Sequence, residues 1–130
     1  MFELLGLIAG AIAGTVLRLT LDTIVPHTDA TFPLSTLVIN LLGSLVLGFF
    51  VARLWPRANA WQKAALGPGL LGTFTTFSAF AVSLVTLATA GEWALAIVYL
   101  VVTLVGGGLA AFGGLALGGR VGARAELGDE

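Results

Sequence analysis

From Ala64 to Gly91 the chain carries no Asp, Glu, Lys or Arg, and the same is true from Trp93 to Gly119. Uncharged runs of this length exceed the roughly 20 residues that one untilted membrane crossing needs. Two further runs suit single crossings: Leu34 to Ala52 has no charge, and Leu4 to Leu21 has only Arg18. Charged residues make up 10% of the 130 positions and hydrophobic ones 58%, whereas a soluble domain keeps about a quarter of its residues charged. Most of the surface therefore has to face lipid. The expected fold is an all-α membrane protein, a single domain with four transmembrane helices at about 3–24, 34–54, 62–90 and 93–118.

Composition closes off several chemistries. A net charge of -1 supplies no basic field for nucleic acid. There is no cysteine and one histidine, His27, so disulfides, thiol chemistry and a zinc cluster have no residues to build them. Lys63 is the only lysine and no phosphate-loop glycine pattern precedes it, which leaves any transport passive or ion-coupled. Met1-Phe2-Glu3 lacks the positive leader of a secretory signal, so the first apolar run reads as a retained span.

The third run is expected to be a helix broken near its middle. Pro68, Gly69, Gly72, Thr73, Thr75 and Thr76 all weaken helical backbone within a few turns. Irregular backbone at membrane depth persists only where protein or a hydrated cavity satisfies it, so a break there borders a functional site. Turn chemistry separates the runs: Pro26, Asp29 and Pro33, then Pro56 and Asn59, then Gly91. Trp55, Trp61 and Trp93 fall at span ends and read as interface anchors. Small residues recur every fourth position in the first span (Gly6, Gly10, Gly14) and in the fourth (Gly106, Ala110, Gly114, Gly118). Such stripes let helices approach closely, within a subunit and between copies, so an oligomer is expected.

Polar residues inside the spans are the candidates for function, because each is costly in lipid. Arg18 continues the glycine face of the first span, where it can snorkel, pair with Asp22 or support a site. Asn40 needs hydrogen-bond partners, either across helices or along a polar passage. Thr73, Thr75, Thr76 and Ser78 lie among Phe74, Phe77 and Phe80, and the fourth span adds Tyr99 and Thr103. Carboxylates occur only near the ends of the spans, so a passive pore for a neutral or anionic solute fits better than a proton-coupled carrier.

Taken together, these residues resemble the fluoride channels called Fluc or CrcB, over essentially the whole chain. Gly69-Leu70-Leu71-Gly72-Thr73-Phe74-Thr75-Thr76-Phe77-Ser78-Ala79-Phe80 looks like that family's third-helix signature, and Asn40, Gly10, Gly14 and Arg18 match its other motifs. The resemblance implies a fluoride-selective channel of the bacterial or archaeal cell membrane, not an enzyme, that lowers cytoplasmic fluoride. It implies an antiparallel, dual-topology dimer with a structural sodium ion at its centre, held by the backbone carbonyls of Gly72 and Thr75; oxygen-only ligation at a helix break suits a hard cation. It places Asn40, Phe77, Phe80, Ser78, Tyr99 and Thr103 along the fluoride pore and gives Arg18 a supporting role. Ala79, Ser83, Gly107 and Leu19 depart from the family pattern and thin its polar track.

The competing readings are a proton-coupled four-helix multidrug exporter, for which Glu3 lies too close to the terminus, and a noncatalytic assembly subunit, which leaves the break unexplained. Arg53, Arg57, Lys63, Arg120 and Arg124 all fall on one side of the four expected crossings. The positive-inside rule then puts both termini in the cytoplasm, against the near-equal insertion a dual-topology homodimer needs. A homodimer is nevertheless favoured over pairing with a homologue.

Overall fold

The computed structural model describes residues 1–25 and 31–127, with side chains through residue 122. Pro26, His27 and Asp29 of the first connection lie outside the described residues, as do Asp129, Glu130 and the side chains of Arg124 and Glu126. Among the described residues all regular structure is helical.

Helix α1 runs Phe2–Ile24 and α2 runs Leu34–Arg53. The third span begins at α3, Ala60–Ala64, passes into a π-helical segment, Ala65–Leu71, and tightens again in α4, Gly72–Phe74. After an interruption it resumes as α5, Phe77–Thr89, and α6 follows as Trp93–Leu127. Four stretches are long and apolar enough to cross a membrane: Phe2–Ile24, Leu34–Arg53, Ala60–Thr89 and Trp93–Gly122.

The ends follow local chemistry. Asn59 caps α3 through a reciprocal pair, its side chain accepting from the Gln62 N–H while Gln62 accepts from the Asn59 N–H. Gly91, at φ +80°, turns α5 into α6. Its N–H donates to the Ala88 carbonyl and that of Glu92 to Leu87, which satisfies two carbonyls of the last turn.

The break falls at the last two of the breaker residues, near the middle of the third span. Pro68 sits inside the π-helical segment, whose wider turns accommodate a residue that has no N–H to give, and the backbone stays helical through Phe74. The chain is extended only at Thr75 (φ -74°, ψ 154°) and Thr76 (φ -144°, ψ 119°).

Two close helix pairs set the architecture. α1 packs on α3, the π-helical segment and α4, while α2 packs along α6. In the first pair, Gly10 lies against the Ala65 carbonyl and Gly14 against the Leu70 carbonyl and the Thr73 hydroxyl, where a Cβ would collide. In the second, Gly114 faces the Leu45 carbonyl and Gly48 the Ala111 carbonyl. Both glycine stripes are thus backbone contact faces. The core between the pairs is Leu37, Phe80, Leu87, Ala96 and Tyr99, with Phe32, Leu41, Leu84 and Leu95 around it. Outward-facing α1 and α6 present Leu, Ile, Val and Phe, as surfaces that meet lipid must.

Candidate functional site: a broken helix between two grooves

The interruption at Thr75 and Thr76 is held by a side chain from another helix. Asn40 of α2 accepts the Thr76 N–H on Oδ1 at 2.9 Å and donates from Nδ2 to the Thr76 carbonyl at 3.0 Å. This pairing also fixes which way the amide points, since only its oxygen can receive the N–H. Thr76 then starts α5, its hydroxyl accepting the Ala79 N–H at 3.1 Å and lying 3.2 Å from Ser78 Oγ. On the other side of the gap, the Thr75 N–H and hydroxyl both donate to the Leu71 carbonyl. Thr73 Oγ1 reaches the Ala11 carbonyl of α1 at 3.0 Å, tying the broken span to the glycine face.

A groove of about 590 Å³ opens on one side of the break, between α2, the third span and α6. Asn40, Gly72, Thr75, Phe77, Phe80 and Thr103 line it, and no charged side chain among the described residues does. The two rings are 5.8 Å apart between centroids and tilted by 50°. Phe80 is 6% exposed and Phe77 79%, so one ring forms the groove wall and the other stands at its open edge. The Thr103 hydroxyl is buried without a hydrogen-bond partner. An amide carries two N–H groups, and Thr76 uses one of those on Asn40; the second remains for another acceptor.

A second groove, of about 460 Å³, lies between α1, α2 and α5. It is more polar: Arg18, Asp22, Ser35, Thr36, Ser78 and Ser83 line it. Asp22 Oδ1 accepts the Ser35 hydroxyl at 2.8 Å. Thr76 lines both grooves.

The residues expected to share one pore are therefore distributed. Asn40, Phe77, Phe80 and Thr103 come together with Gly72 and Thr75, whereas Ser78 belongs to the other groove, which Arg18, expected only in a supporting role, also lines. Tyr99 is fully buried behind Phe80, 5.4 Å between ring centroids, with Phe32 edge-on to it at 5.5 Å. Its hydroxyl faces Ser83 and Thr36 but makes no hydrogen bond of good geometry. Trp55 also lines the groove on the Asn40 side, its ring packed on Gly67, a position its reading as an interface anchor did not capture. Thr36 was missed as well; a hydroxyl near a helix start carries no signal of facing a groove whose other walls come from α1 and from α5, about 40 residues further along the chain.

These features define a four-span helical membrane protein with a side-chain-braced break between two grooves. The chain matches the model of the CrcB-like protein family, described as camphor resistance (CrcB), over residues 5–115, and it belongs to that family. It is 39% identical to the fluoride-specific ion channel FluC of Pseudomonas putida over 112 residues, covering 84% of this chain and 90% of the relative. The fluoride-specific ion channel FluC 2 of Geobacillus kaustophilus is 39% identical over 115 residues, 84% of this chain and 86% of its own. FluC 1 of Mycobacterium bovis is 34% identical over 110 residues, 83% of each.

Proposed function

We propose that this chain forms a passive, fluoride-selective channel in the cell membrane and catalyses no reaction. The observation that carries this reading is the groove at the break, which is lined by the Asn40 amide, the rings of Phe77 and Phe80 and an unpartnered hydroxyl and, among the described residues, by no charge, in a chain akin to named fluoride channels. Fluoride surrenders its water only where donors replace it at close range. The second Asn40 N–H and the Thr103 hydroxyl are such donors, and the ring edges of Phe77 and Phe80 carry partial positive charge toward an anion. Ser78 and Tyr99 supply further hydroxyls beside the break, and Arg18 supports the neighbouring groove, where its charge attracts anions.

Sodium fits the break as a structural ion. In an unbroken helix the Gly72 carbonyl would receive the Thr76 N–H and the Thr75 carbonyl the Ala79 N–H; both donors are engaged elsewhere. Gly72 and Thr75 would hold the ion with the same groups of a second, antiparallel copy, and the ion would supply positive charge at the dimer centre. The exposed Phe77 and Gly72 at the open edge of the groove support a partner there.

The deciding experiment is anion efflux from liposomes containing only the purified chain, under matched fluoride and chloride gradients. Fluoride is expected to leave rapidly and chloride to be retained. Equal rates for the two anions would sink the reading.

A further inference from the structure

We propose that Asn40 and the Thr76 hydroxyl are positioning residues that hold the third span broken, by diverting two helical donors from the Gly72 and Thr75 carbonyls. The inference rests on the channel reading for its consequence in transport, and on geometry alone for the break itself.

A peptide group left unpaired at membrane depth costs several kcal/mol, so a gap in a helix closes unless other groups replace the lost bonds. The sequence offers two ways to satisfy the Thr76 N–H. In one, the helix continues and the N–H returns to Gly72; in the other, it leaves the helix for an acceptor on a neighbour. Asn40 Oδ1 is that acceptor, and Nδ2 simultaneously takes the Thr76 carbonyl, so one side chain grips both polar groups of a single residue. Thr76 repeats the substitution one turn on, its hydroxyl taking the Ala79 N–H that Thr75 would otherwise receive. Thr76 is 9% exposed, so water is a poor substitute for either acceptor. Two side-chain oxygens thus free two backbone oxygens three residues apart. With a hydrocarbon side chain at position 40, the acceptor on α2 is lost, and resealing the helix returns the Thr76 N–H to the Gly72 carbonyl.

The test uses the full chain in lipid bilayers, with backbone carbon and nitrogen chemical shifts reporting on Thr75 and Thr76. In the parent both residues are expected to show extended shifts. In Asn40→Leu they should move into the helical range, and fluoride efflux should fall by about tenfold or more, the equivalent of losing one buried hydrogen-bonding group. Thr76→Ser keeps the hydroxyl and should keep the extended shifts, whereas the nearly isosteric Thr76→Val should lose them in part. Extended shifts at both positions in a folded Asn40→Leu chain would overturn the proposal. Should that variant not fold, the parent decides alone. The chain has two asparagines, Asn40 and Asn59, so selective labelling isolates the Asn40 side chain, and its failure to hydrogen-bond the Thr76 N–H would equally overturn it. A parent that shows the extended shifts and the hydrogen bond but passes no fluoride would leave the positioning role standing and remove the channel reading.

Discussion

Phe77 and Phe80 lie one turn apart on α5, line the same groove and live in different surroundings, 79% and 6% exposed. Phe80 is wedged between Phe77 and Tyr99, so Phe80→Ala opens a cavity and should cost about 3 kcal/mol or more of stability. Phe77→Ala removes an exposed ring and should leave unfolding in detergent close to that of the parent while lowering fluoride efflux; parent-like efflux would take Phe77 out of the pore. Sequence alone could not separate these two residues, since both are phenylalanines in an apolar span and their difference depends on which helix stands behind each. Asn40 was legible as a polar residue in need of partners. Its partners were not, because they are backbone atoms 36 positions away, and a backbone N–H carries no sequence signature until the helix around it is known to be open.

At the scale of elements, the glycine stripes were the most readable feature, because a four-residue spacing maps directly onto one helix face. The break was only half readable. Pro68 and the glycines mark where helix is weak, but a π-helical turn absorbs the proline, and the gap opens where Asn40 and Thr76 supply competing acceptors. The stripes give a sharp contrast for mutagenesis. A Cβ at Gly10 would meet the Ala65 carbonyl and, at 3.0 Å, the Leu70 nitrogen, both main-chain atoms of the π-helical segment, which cannot move aside as a flexible side chain would. Gly10→Val should therefore cost upwards of ~3 kcal/mol and part α1 from the third span. Gly108 has nothing within 4 Å of a built Cβ, so Gly108→Ala should be neutral or slightly stabilising through helix propensity. Thermal denaturation of the two variants in the same detergent measures both; equal melting temperatures would mean the α1 face tolerates a side chain that this geometry says it cannot.

For the whole molecule, the number of crossings ties orientation to charge. Four spans put both ends of the chain on one side together with the connection between α2 and α3, which carries Arg57, with Arg53 ending α2 before it and Lys63 just inside the next helix. Arg120 and Arg124 join them, leaving Arg18 as the single basic residue toward the opposite face. Positive-inside counting then orients most copies with this end in the cytoplasm, and the nearby acidic residues Glu126, Asp129 and Glu130 offset little of that bias because acidic groups weigh weakly in insertion. The proposed antiparallel homodimer would need copies of both orientations, so the bias would set an upper limit on such dimers in the cell without preventing them once purified chains mix in detergent. Reporters fused at the C-terminus should accordingly give signal from both sides of the membrane, with the cytoplasmic signal the larger, and the purified chain alone should carry fluoride. Reducing the bias, by replacing Arg53 and Arg57 with neutral residues, should bring the two signals closer together and raise the fluoride resistance that expression confers on sensitive cells. Cytoplasmic signal alone, together with purified protein that passes no fluoride, would mean that this chain pairs with an oppositely oriented homologue and is half of a channel by itself.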